Sequence, residues 1–135
     1  MFAKRMTLAA LVVGTMMTTT LASTAVMADD LQRLREISEG AHRSADNIAR
    51  NAARHPVETL DFFGLKSGMT VIEILPGGGW YSEILAPFLK GNGTYYAAHF
   101  SPNSQLSYQP PMLQQFRDRV DGNPEIYGET IITHL

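Results

Sequence analysis

The stretch that most constrains the fold is Thr70–Leu89, TVIEILPGGGWYSEILAPFL. Val71-Ile72-Glu73-Ile74-Leu75 is apolar on both faces apart from one acid, which predicts a β-strand. Pro76 and three glycines, Gly77, Gly78 and Gly79, then form a turn, and a helical pattern begins at Trp80. In a strand–glycine turn–helix unit, backbone N–H groups can converge on a ligand near the helix N-terminus.

The segments on either side extend this unit into a βαβ crossover. Lys90-Gly91-Asn92-Gly93 ends the helix, and Thr94–His99 reads as a second strand, parallel to the first. Ser101–Pro111 is loop, Pro111–Val120 has helical spacing, Asp121–Pro124 is a turn, and Thr130–His134 begins a third strand. On the N-terminal side, Asp29–Arg54 has a weak apolar stripe of helical period. Asp29 or Asp30 is expected to cap this segment and Gly40 to break it. Its arginines, 33, 35, 43, 50 and 54, are read as a solvated face interleaved with acids rather than a binding surface. Pro56 opens a short helix over Val57–Phe63, with Gly64 as its C-cap and His55 structural or exposed. The expected fold is therefore α/β: an incomplete Rossmann-like parallel sheet of about three strands with flanking helices, preceded by N-terminal helices.

Lys4 and Arg5, an apolar run from Leu8 and the small residues before Asp29 make Met1–Ala28 a signal peptide, with an N-terminal membrane anchor as the alternative. The expected location is periplasmic or secreted. The divisions are 1–28 signal peptide, 29–55 N-terminal helical segment and 56–135 the sheet-forming part. A formal charge of −2 with no basic run argues against a nucleic-acid partner. The absence of cysteine removes disulfides, thiol nucleophiles and Cys-based zinc sites. The four histidines show no metal-ligand spacing, so no metal site is expected.

The Gly-rich turn admits two readings, a ligand cradle or a ligand-free tight turn. Glu73 can shape the turn by accepting from its amides, or can accept from a cationic group on a ligand. No Gly-Lys-Ser/Thr follows the turn, which excludes a phosphate P-loop. A dinucleotide fingerprint also fits poorly, since Ser82 stands where its last glycine would be.

Glu73-Ile74-Leu75-Pro76-Gly77-Gly78-Gly79 resembles the first motif of class I S-adenosylmethionine-dependent methyltransferases. Together with Arg54-His55-Pro56, Phe62-Phe63-Gly64-Leu65 and Gly79-Trp80-Tyr81 through Pro87, it is similar to an exported bacterial group of that family. The resemblance covers roughly residues 47 to 135. It implies S-adenosylmethionine as cofactor, with Glu73, Gly77 and Gly79 on its methionine side and Pro76, Gly78 and Trp80 shaping that site. Three features depart from the pattern. Leu75 replaces a motif glycine. His99 stands where an acid would hold the ribose, so it is either a ligand contact or a packed strand-end histidine. Only three of about seven strands fit. The expectation is an N-terminal half of the domain, truncated and inactive as this chain, with no catalytic residue of its own; the alternative is a non-catalytic ligand-binding or interaction domain. Val71–Leu75 would then be an open edge in a sheet ordered 3-2-1.

Overall fold

The computed structural model describes residues 19–135, with side chains described from residue 29 onward. The expected leader lies largely outside the described residues. From Thr19 the backbone is a continuous helix, α1 (Thr19–Ser38), so Asp29 and Asp30 sit inside a helix and do not cap one. Asp30 is buried and accepts the Ser67 N–H at 3.4 Å, which ties α1 to the turn before the first strand. Among the described residues, no helix is long and apolar enough to cross a membrane.

Gly40 follows the end of α1, as its helix-breaking character predicts. Two short helices come next, α2 (Ala45–Ala49), capped by Ser44, and α3 (Asn51–Arg54). α4 spans Pro56–Phe62, with proline in its first turn and Gly64 at φ +72° just beyond its end. The sheet is formed by β1 (Thr70–Ile74), β2 (Thr94–His99) and β3 (Ile131–His134), all parallel, in the order β1-β2-β3. α5 (Ser82–Leu89) connects β1 to β2, starting two residues later than the helical pattern suggests. α6 (Gln109–Gly122) and α7 (Pro124–Tyr127) connect β2 to β3. The turn expected at Asp121–Pro124 is instead the last residues of α6 and the first of α7. The architecture is thus the mixed α/β, Rossmann-like three-stranded parallel arrangement expected from the sequence.

Strand alternation divides the sheet into two unlike faces. Tyr95 and Ala97 of β2, flanked by Val71 and Ile132, join Leu34, Ile84, Leu85, Phe88, Leu89, Phe116 and Val120 in one core beneath the helices. The opposite face carries Ile72 (60 % exposed) and Ile74 (67 % exposed) beside Ile131, which is also exposed. The all-apolar composition of β1 suits a strand covered on both sides. Here it is covered on one face and, among the described residues, paired along one edge.

α5 is the hub of the helical layer and has all but one of its residues buried. Pro87 lies inside it and has no N–H to give the carbonyl four residues back, that of Glu83. His42 Nε2 lies 2.9 Å from that carbonyl and donates to it, so the orphaned acceptor is satisfied from the N-terminal segment.

Candidate functional site

The chain leaves β1 through left-handed backbone at Leu75, Gly77 and Gly79. Leu75 still pairs with the sheet, its N–H donating to the Ala98 carbonyl at 2.8 Å. Its φ is nevertheless +54°, in the left-handed region that glycine adopts without cost. The backbone at this position therefore takes a glycine-like path although the side chain is leucine. Such strain in a bulky residue persists only where its surroundings hold it, and it concentrates at functional sites.

The residues expected in the site separate into three environments. Pro76, Gly78 and Trp80 line a cleft of about 470 Å³ together with Ser44, Asp46, Asn47, Arg50, Arg54 and Arg119. Leu75 lines a second cleft of about 490 Å³ at the carboxyl ends of the strands, with Phe100, Ser101, Asn103, Ser104, Gln109 and Leu135. Gly77 is half-buried between them, and a Cβ there would meet only the Leu75 carbonyl oxygen, at 3.9 Å. Glu73, Gly79 and His99 face the protein interior.

Glu73 shapes the fold beneath the turn. Tyr95 Oη donates to its Oε2 at 2.5 Å and Ser82 Oγ at 2.8 Å, so the carboxyl pins β1 to β2 and to the start of α5. Burial pushes its pKa above the ordinary carboxylate range, and the two hydroxyl donors oppose the shift. The same burial, with Glu73 alongside, raises the Tyr95 phenol.

Gly79, at φ +81°, is buried against α6; a Cβ on it would lie 3.4 Å from Arg119 Cδ and 3.6 Å from Phe116 Cε2. Its place is set by helix packing.

His99 is fully buried on the helix-covered face, its ring 5.4 Å from that of Phe116. Nδ1 accepts the Phe100 N–H at 2.8 Å, so Nε2 carries the ring proton. Nε2 is buried and has no hydrogen-bond partner among the described residues. Burial lowers the imidazole pKa, partly offset by the nearby Gly77 backbone, so the ring is held neutral. His99 therefore takes the packed strand-end position. The polar groups that the carboxyl-end cleft does present are those of Ser101, Asn103, Ser104 and Gln109.

A charged cluster that the sequence reading missed holds the N-terminal segment against this region. Glu83 is 3 % exposed and receives Arg43 Nε at 3.2 Å, Asn47 Nδ2 at 2.8 Å and Arg119 at 3.0 Å. Arg43, read as part of a solvated face, is itself buried and also donates to Ser38 O and Asn51 Oδ1. Trp80 Nε1 donates to the Asn47 carbonyl at 2.9 Å. The signal in the sequence was Glu83, the single charge in the apolar run of α5. Among the described residues, no three His, Asp or Glu side chains gather as a metal site would require.

Comparison with protein-family models, with curated proteins and with solved structures finds no match.

Proposed function

We propose that this chain carries the cofactor-binding portion of an exported S-adenosylmethionine-dependent methyltransferase-like domain, with the cofactor at the carboxyl ends of β1 and β2. The observation that carries this reading is the glycine-like φ of +54° at Leu75, two residues before Gly77 at +57°, on the rim of a ~490 Å³ cleft. Clefts of this size at the carboxyl ends of parallel strands are where α/β sheets collect small molecules. The residues present fit the group in that Ser101, Asn103, Ser104 and Gln109 offer it polar partners. When bound, the cofactor would supply an activated methyl group. The chain's own residues would bind and orient it, with Leu75 and Phe100 walling the cleft against water.

A second reading, a non-catalytic ligand-binding domain, is favoured by the lining of that cleft. None of the seven residues facing it is an Asp, Glu, His or Lys that would accept a proton in methyl transfer.

The chain's single tryptophan, Trp80, follows directly on the turn and reports on it. Titration with S-adenosylhomocysteine is expected to change its fluorescence saturably. An unchanged spectrum, with no heat by calorimetry, would remove the cofactor from both readings.

A further inference from the structure

The cleft on the other side of the turn has a chemistry that the cofactor reading does not use. Its walls present three guanidinium groups, Arg50, Arg54 and Arg119, against one carboxylate, Asp46. Arg119 is held by Glu83, but that acid is shared with Arg43, so the pairing neutralises only one of those two cations. Counting the buried cluster with the cleft therefore leaves a surplus of two positive charges, in a chain whose formal charge is negative. Arg50 and Arg54 form no ion pair and no side-chain hydrogen bond among the described residues. They are nonetheless ordered by stacking. Their guanidinium carbons lie 5.6 and 4.9 Å from the Trp80 ring centroid, with Arg43 at 5.2 Å. Trp80 is in turn fixed by burial and by its bond to Asn47 O.

Three like charges gathered around one indole repel one another, and cation–π attraction, weak at exposed sites, offsets only part of that. A cavity that pre-positions the planar, five-donor groups of Arg50 and Arg54 and leaves their donors unpaired is built for an oxyanion. The Ser44 hydroxyl and the exposed Gly78 backbone lie on the same walls. We infer that the Arg50–Arg54–Arg119 cleft binds a dianionic phosphate group, carried on a small phosphate monoester. The surplus of two charges matches the dianion. A volume of about 470 Å³ leaves room for the organic part of such an ester.

The test is calorimetric titration of the whole chain with inorganic phosphate, then with a phosphate monoester such as glycerol phosphate, using succinate and sodium chloride as controls. Phosphate is expected to bind saturably and the monoester more tightly. Added salt should weaken both. Arg50→Met and Arg54→Met should each weaken binding about tenfold or more, the loss expected for a charge-assisted pair. Both side chains are exposed, so circular dichroism and melting temperature should not change. Arg54→Lys keeps the charge but loses the fork and should fall between wild type and Arg54→Met. Absence of saturable phosphate heat, equal affinity in the Met variants, or tighter binding of succinate than of phosphate would each overturn the assignment. The S-adenosylhomocysteine response of Arg50→Met and Arg54→Met is read in parallel. Its persistence when phosphate binding is lost shows two separate sites, and its loss together with phosphate binding overturns the phosphate assignment, because the arginines would then belong to the cofactor cleft.

Discussion

Replacing Arg43 by Met tests whether the N-terminal segment is held in place by a buried charge network. In the native protein the Arg43 side chain is 0 % exposed and that of Glu83 4 %. Arg43 reaches Glu83 at 3.2 Å, Ser38 O at 2.5 Å and Asn51 Oδ1 at 3.0 Å. Methionine fills much of the same space, so the main loss is the cation and its hydrogen bonds. Glu83 would keep Asn47 and Arg119, but Arg119 is 36 % exposed and only partly compensates a buried carboxylate. Breaking a buried pair by removing one partner costs about 3–5 kcal/mol, and the surviving Arg119 places this case near the lower end, about 3 kcal/mol. That is a large share of the ~5–15 kcal/mol typical of whole domains. Urea unfolding followed by circular dichroism should show it as a lower midpoint at unchanged slope. Adding Glu83→Gln removes the uncompensated charge, so the double variant should recover at least about 1 kcal/mol relative to the sum of the single losses. A loss below about 1 kcal/mol for Arg43→Met, or strictly additive losses in the double variant, would refute the reasoning.

Glu73→Gln should alter the pH dependence of stability. The folded pKa is raised above the ordinary 4.5, so the protonated form is favoured in the fold. The resulting stability is complete below 4.5 and is lost as pH rises through the raised value. The substitution should abolish that slope in pH-dependent thermal melts while leaving the fold intact. Gly79→Ala should destabilise by about 1–2 kcal/mol from the left-handed backbone alone, measurable by the same urea titration. Ile72→Thr with Ile74→Thr should reduce concentration-dependent self-association by sedimentation at little cost in stability, since both side chains are exposed on an open sheet face.

Much of the fold was legible because its signals are local. β2 occupies the expected Thr94–His99, Gly40 and Pro56 interrupt the helices where they should, and the parallel order follows from a βαβ crossover. The site was legible only in part, because burial is a tertiary property. Glu73 and Gly79 were singled out by their spacing and His99 by its place at the end of β2, but strand alternation and the packing of α6 turn all three inward. Arg50 and Arg54 are exposed, as a solvated face requires, but Arg43 is buried, since nothing local says that Glu83, forty residues on, lies against it. Asp29 and Asp30 were expected as caps because the residues before them read as a leader, whereas α1 runs without a break from Thr19 to Ser38.

The most direct test of the proposed cofactor site is calorimetric titration of S-adenosylhomocysteine into the whole chain and into Gly77→Val. Position 77 has φ +57° and an open surround, so a side chain there hinders the backbone's approach to a ligand without entering the core. Saturable heat in the wild type that disappears in a folded Gly77→Val protein is the predicted result. No heat in the wild type, or the same heat in both, would contradict it.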